Sequence, residues 1–496
     1  MFKNVLVTGC SGSVGKFLVE LLLEKGYNVV GIDKQNNDIN SQNFKFIQGD
    51  ITNKETVSNA MKGINAIVNT AAIVNISASF QELRAINFDA VKILYNEAKK
   101  NNVDYFIHFS TGSVYKASSE PHNENSEVEL VNPYIQTKYM SEEFLRSQNE
   151  DKPIVNIIRP ALIYGPRIRV LAAIMVTYPV LIKSFINFFP KIKGGAKSNW
   201  VYSEDVARAC LFLLENPQPN NEIFNVANDD VLSIGEMLSI ACQTYGIKLI
   251  NFEIPISTKK FVKIISPFRN IVLKTINNIT GSFWNKVINK YNISSPINTN
   301  LDVEFLDFAE HDTIFDNTKI KSLGFELKYP KFIDGWKQAI NWYEDNKWIP
   351  NHKDVNEFLK YGISFYEKMY GRYVTDNNEE KKFNFSCSVK IPSIKDFFND
   401  LTSYIKGKVE IDNTIYDNLE GKLIIDLLKK KKLIYDFNFG DNYRFYGTKN
   451  INYLNFVYSI THLEGIIYKN DNFLAKANLV FDLKELKSFL ESFKIV

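Results

Sequence analysis

Thr8-Gly9-Cys10-Ser11-Gly12-Ser13-Val14-Gly15 follows directly on an apolar run, Asn4 to Thr8, and opens a helical stretch, Gly15 to Lys25. Glycine at 9, 12 and 15 suits a turn that must be tight, bring its backbone close to a ligand and let the helix lie near the strand. A helix that starts there aims free amides at an anion, so the unit reads as a pyrophosphate cradle. Gly9, Ser11, Gly12, Val14 and Gly15 are the positions expected to touch the cofactor.

Outward from this turn the pattern repeats. Asn28–Ile32, Phe44–Gln48, Ala66–Thr70, Tyr105–Phe109 and Ile154–Ile158 are further short apolar runs. Between them lie the helix-length segments Lys54–Lys62, Phe80–Lys100 and Tyr134–Gln148. Strands that are apolar throughout and alternate with helices imply a parallel sheet covered on both faces, a doubly wound α/β fold of Rossmann type. Asp33 ends the second run, 18 residues past Gly15, where a carboxylate can accept hydrogen bonds from ribose hydroxyls and would repel a 2'-phosphate. NAD is therefore expected rather than NADP, with Lys34 next door as a partial counterweight. Asp50 and Ile51, after the third run, are candidates for the adenine pocket.

With 496 residues, several domains are expected. The reading places an NAD-binding domain at 1–230 and a smaller substrate lobe at 231–350, with contributions from 165–203. A helix and linker follow at 351–382, the helix over Asp354–Tyr373 and the linker at Thr375–Lys382. Residues 383–496 form an accessory α+β domain rich in antiparallel strands, with runs at Leu433–Phe439, Tyr443–Tyr446, Phe456–Tyr468 and Phe473–Asp482 and a closing helix at Leu483–Phe493.

The composition, 45% hydrophobic and 23% charged with a formal net charge of +3, suits a globular protein and gives no sign of a nucleic-acid partner. Four widely spaced cysteines, Cys10, Cys210, Cys242 and Cys387, form neither a metal pattern nor a disulfide framework, so no metal is expected and a cytoplasmic location is. Pro179 and Lys183 interrupt the most apolar window, Val170–Phe189, which disfavours a spanning helix.

Tyr134 and Lys138 stand one helical turn apart, just after Pro133, so both side chains leave one helix face. An ammonium beside a phenol stabilises the phenolate, which lets tyrosine act as a base near neutrality. The pair follows the fifth strand run, whose end carries Ser110-Thr111-Gly112-Ser113-Val114-Tyr115. A hydroxyl at that strand end can bond a substrate oxygen as charge develops on it.

These motifs, with Ala71-Ala72, Asn87, Arg159-Pro160-Ala161-Leu162-Ile163-Tyr164-Gly165-Pro166, Trp200 to Ala207 and Phe315 to Lys319, resemble the extended short-chain dehydrogenase/reductase family, also called the NAD-dependent epimerase/dehydratase family. The resemblance covers about 345 residues. It implies an enzyme in which Tyr134 is the catalytic base, Lys138 lowers its pKa and holds the nicotinamide ribose, and Thr111 orients the substrate hydroxyl. It also implies that Ala71, Ala72, Asn87 and Pro160 line the cofactor, and Ser110 and Ser113 are weaker substitutes for Thr111.

For the substrate, sugar-nucleotide members of the family commonly carry arginine where this chain has Ser198, although Lys197 could compensate. Residues 165–203 carry Arg167, Arg169, Lys183, Lys191, Lys193 and Lys197 without an acid, and 254–301 carry Lys259, Lys260, Lys263, Arg269, Lys274, Lys286 and Lys290 likewise. Cations among large apolar residues suit helices at an anionic membrane surface, or else lid helices with a solvated basic face. The membrane reading fits hydroxysteroid dehydrogenase-like members, and Tyr443–Lys449 with Phe481–Leu483 is similar to the tail of sterol-oxidase-like proteins.

The leading expectation is an NAD-dependent oxidoreductase acting on a secondary alcohol or ketone that is sterol-like or otherwise lipophilic. A nucleotide-sugar epimerase or dehydratase using the same site is the alternative, and a binding protein that retains NAD without turnover is a third. Peripheral contact with an anionic membrane and a homodimer are the partner expectations beyond the small-molecule substrate.

Overall fold

The computed structural model describes residues 2–496 apart from 75–77, 149–150, 257, 259–261, 264–265, 303–305, 307–308, 357–358, 376–377, 428 and 453–454. Lys259 and Lys260 of the second basic stretch therefore lie outside the described residues. The chain packs into two units, one built from residues 1–173, 196–240 and 303–346, the other from 174–195, 241–302 and 347–496.

In the first unit β1 (Asn4–Thr8), β2 (Asn28–Asp33), β3 (Phe44–Gln48), β4 (Ala66–Asn69), β5 (Tyr105–Phe109) and β6 (Ile154–Pro160) join the strand Glu222–Val226 in a seven-stranded sheet. Its order, Glu222–Val226 then β6, β5, β4, β1, β2 and β3, is parallel at every pairing. Successive side chains of one strand serve opposite faces. Val5 and Val7 pack with Leu18, Val19 and Leu22 of α1 (Ser13–Glu24), while Leu6 packs on the other face with Ile32, Ile67, Leu94 and Phe106. Burying each such side chain contributes about 1.5–3 kcal/mol, so a run apolar throughout is stable only where helices cover both faces. Helices α2 (Lys54–Ala60), α3 (Phe80–Arg84), α4 (Ala90–Lys100) and α5 (Pro133–Arg146), with the helix Ser203–Glu215 beside α1, add to that cover.

The second unit holds a nine-stranded antiparallel sheet spanning Ile363 to Ile495. Its strand Ile363–Val374 pairs with both Glu380–Ile391 and Asn472–Val480, which closes the sheet on itself as a barrel. Phe383, Phe385, Phe437, Phe439 and Phe445 fill it together with Met369, Ile405, Leu463 and Leu479.

Three expectations are corrected here. Residues 363–374 form a strand rather than the end of a helix, and that strand pairs antiparallel with Glu380–Ile391, so the two make a hairpin where a linker was expected. Burial alternates along it: Glu367, Met369 and Tyr373 are buried while Tyr366, Tyr370, Arg372 and Val374 are exposed. Phe456–Tyr468 is not one strand; Phe456–Thr461 is a helix, and the strand begins at His462.

Candidate functional site

The ends of β1, β2, β4 and β5 meet along one edge of the sheet, and the predicted cofactor residues gather there. Gly9 has φ +70°, and a Cβ on it would lie 2.8 Å from Thr70 Oγ1. A Cβ on Gly15 would lie 2.1 Å from Gly9 O. Gly12 is the N-cap of α1, with no side chain bonded there, so the first amides of the helix face outward, as a pyrophosphate requires. Ser11 sits in the turn, and Val14, buried, anchors the first turn of α1.

The Asp33 carboxylate accepts from the N–H groups of Ser11 and Gln35, each at 2.9 Å. Asp50 pairs with Lys34 at 2.7 Å and accepts from Thr52 N. Burial works against the Asp50 charge, but these donors outweigh it and hold the carboxyl below its ordinary value. Lys34 therefore turns toward Asp50, and beside it Ile51 is buried in the core under β2.

After β4, the Ala71 N–H bonds Thr8 Oγ1 at 3.4 Å, and Ala72 follows on the same loop. Asn87, buried in a π-helical turn between α3 and α4, clasps that loop through both backbone groups of Ile73, at 2.9 and 3.1 Å. Its amide also donates to Thr137 Oγ1 at 3.4 Å, and Thr137 in turn donates to Tyr134 O. Asn87 thus joins the cofactor loop to the helix of the Tyr-Lys pair. Pro160 closes β6, and Ser13 Oγ donates to Pro166 O, so the later proline motif is tied to the glycine turn.

Asn132 caps α5 by accepting from Ile135 N, with Pro133 in the first turn. Tyr134 and Lys138 are both buried on one face of that helix. Lys138 Nζ donates to Phe109 O, at the end of β5 two residues before Thr111. Burial pushes the Lys138 ammonium down to about 8, with the Glu142 carboxylate opposing the shift. Thr111 is buried, and its Oγ1 accepts from Ser113 N at 3.2 Å, which leaves its own proton to donate. The Ser113 side chain is exposed and Ser110 is buried.

Three features escaped the sequence reading. Glu142, one turn beyond Lys138, forms a buried two-bond pair with Arg159, from Nε at 3.0 Å and from Nη2 at 2.5 Å. His108 lies buried in β5, where its Nδ1 meets Asn69 Nδ2 at 3.1 Å, and Asn69 Oδ1 accepts from Thr8. Arg159 Cζ also stands 4.9 Å from the centre of the Tyr115 ring. The signal for the first was a glutamate at i+4 from Lys138; nothing local marks its partner on β6.

A dinucleotide cradle at the carboxyl edge of a parallel sheet, beside a buried tyrosine and lysine, defines an enzyme of the NAD-binding α/β class. Residues 5–227 match the NAD dependent epimerase/dehydratase family, so this part of the chain is a domain of that family and the protein is an NAD-dependent enzyme. It is 26% identical over 388 residues to a dTDP-D-glucose 4,6-dehydratase of Mus musculus, covering 72% of this chain and 93% of the relative. To a 3-beta-hydroxysteroid dehydrogenase of Mycolicibacterium neoaurum it is 31% identical over 175 residues, covering 33% of this chain and 48% of the relative. A crystal structure of a UDP-glucose 4-epimerase from Thermotoga maritima superposes with TM-score 0.52 and 20% identity, covering 69% of this chain and 99% of that one, a likeness of fold.

Proposed function

We propose that this chain interconverts a secondary alcohol and its ketone, with Tyr134 as base, Lys138 as the cation that favours its phenolate, and Thr111 as donor to the substrate oxygen. NAD, when bound, exchanges the hydride with the carbinol carbon. The observation that carries this reading is the bond from Lys138 Nζ to Phe109 O, which ties the helix of the pair to the strand end bearing Thr111. Asp33 and the glycine turn would hold the cofactor.

A lipophilic alcohol is the first substrate reading, supported by Ser198. This residue is buried and donates to Thr313 O at 2.9 Å, so it offers no cation for a pyrophosphate. Epimerisation or dehydration of a nucleotide sugar is the second, supported by the greater span of the match to the mouse dehydratase than of that to the steroid dehydrogenase. Melting in the presence of NAD with either a 3β-hydroxysteroid or UDP-glucose separates them, since a ligand raises the melting temperature only if the folded protein binds it. A rise with the steroid alone supports the first reading; a rise with UDP-glucose alone overturns it in favour of the second.

Peripheral contact with an anionic membrane stays part of the proposal in a narrower form. Lys183 is buried and donates to Tyr245 O at 3.1 Å, and Lys193 pairs with Glu253. In the helix Arg269–Tyr291 the exposed positions include Arg269, Lys274, Asn278, Asn285 and Lys290, while Leu273, Phe283, Trp284 and Val287 are buried. That face supplies charge without an apolar stripe.

A further inference from the structure

Tyr134, Lys138 and Glu142 follow one another at intervals of four on α5, so the third side chain shares the face of the first two. Glu142 and Arg159 are both about as buried as any residue in the chain, and the guanidinium grips the carboxylate through two bonds. Arg159 reaches further: Nη1 donates to Glu124 O at 3.4 Å, and the cation lies over Tyr115, whose hydroxyl donates to Asn225 Oδ1 at 2.7 Å. Tyr115 closes the segment that begins at Ser110 and includes Thr111. One ion pair therefore links the helix of the tyrosine and lysine, the strand β6 and the segment of the threonine.

We propose that Glu142, held by Arg159, is a positioning residue of this site that fixes α5 against the Thr111 segment and keeps Lys138 in its charged form. The proposal rests on the assignment of Tyr134 and Lys138 above.

A buried ion pair with one partner removed costs more than a pair removed whole, which is why both members must be considered. Burial works against the Arg159 charge and Glu142 more than offsets it, so the guanidinium stays protonated and its grip on the carboxylate is permanent. The charged and titratable groups around Lys138 are Tyr134 and Glu142 on its own helix, His108 on β5, and Arg159 on β6 beyond Glu142. Burial, and then the Lys138 charge, hold His108 well below its ordinary value, so it stays neutral. Its Nδ1 accepts from Asn69, which puts its proton on Nε2 and offers Lys138 no anion. Glu142 is the group that opposes the desolvation of the ammonium.

The experiment follows the Lys138 ε-carbon by NMR in the full chain saturated with NAD, using 13C-lysine and assigning the resonance by its absence in Lys138→Met. It needs no substrate, so failure of the catalytic reading, seen as unchanged turnover in Tyr134→Phe, is a separate result. Removing the carboxylate should lower the Lys138 midpoint by about one pH unit. Glu142→Gln leaves Arg159 buried without its counter-ion and can fail to fold; Glu142→Gln with Arg159→Gln leaves no orphan charge and should lower the midpoint in the same direction by less, because the cation that opposes Glu142 is removed with it. Glu142→Asp, which keeps the charge, should restore the wild-type midpoint. A midpoint unmoved in the double variant, or displaced equally in Glu142→Asp, overturns the proposal and leaves the pair a purely structural link.

Discussion

The Asp33 carboxylate accepts a 2.9 Å hydrogen bond from the Ser11 N–H, so the acid that ends β2 is held against the glycine turn that ends β1. Its second oxygen is fixed by Gln35 N. A carboxylate held in place by two backbone donors presents its remaining lone pairs to ribose hydroxyls without having to be ordered first. NADP is therefore expected to bind more weakly than NAD. Asp33→Ala should weaken NAD by about 10- to 100-fold, the worth of hydrogen bonds to a charged group. Calorimetric titration of both cofactors checks this; equal affinities in the wild type would remove Asp33 from the ribose site.

Gly15 tests the turn itself. Because an added Cβ would lie 2.1 Å from Gly9 O, Gly15→Ala must push the glycine turn away from α1. A loss of about 1–3 kcal/mol in stability is expected, as for overpacking elsewhere, together with loss of NAD binding. Thermal melts with and without NAD read both, and a variant that melts and binds like the wild type would contradict the close approach.

The fold was legible because its signals are local and repeated. Runs such as Val5-Leu6-Val7 and Ala66-Ile67-Val68, apolar at every position and spaced by helix-length segments, have no stable arrangement other than a sheet covered twice. Tyr134, Lys138 and Thr111 were legible as a set because they fall at fixed places relative to those runs. The strand Ile363–Val374 was not, because Glu367 in the inward register breaks the apolar alternation. That carboxylate is buried against Lys449 and Tyr435, from strands far along the chain. Arg159 was visible only as part of a motif; its pairing with Glu142 bridges a helix and a strand, and no spacing rule reports it.

The Lys138 ammonium, pushed down to about 8 by burial, sets a pH dependence. If its charge supports the Tyr134 phenolate, turnover should fall as pH rises through about 8. The stability effect runs the other way. The folded midpoint lies below that of an ordinary lysine, so the cost of burying the charge is fully present below about 8 and is relieved as pH rises toward the usual lysine range. Rates of NADH formation across pH 6–10, with an alcohol that raises the melting temperature, test the first part. A rate that keeps climbing above pH 9 would contradict it.

Binding to anionic vesicles should be seen at low salt and disappear as salt rises, because the exposed face of Arg269–Tyr291 offers cations but no apolar stripe. Co-sedimentation over a salt series with wild type and with Lys274→Glu and Lys290→Glu together tests it. Persistent binding at high salt would show an apolar contact that the exposed face of this helix does not provide, and no binding at low salt would leave it an ordinary solvated helix.

The central claim is that the Tyr134 oxygen is the base. Tyr134→Phe removes that oxygen and leaves the ring in its buried place on α5, so NAD affinity should stay within a factor of about two to three while turnover falls by about two to four orders of magnitude. Cofactor affinity by calorimetry and turnover by NADH absorbance, on the same preparation, give both numbers. Intact NAD binding with lost turnover is the predicted result; near-normal turnover would place the base elsewhere and contradict the account.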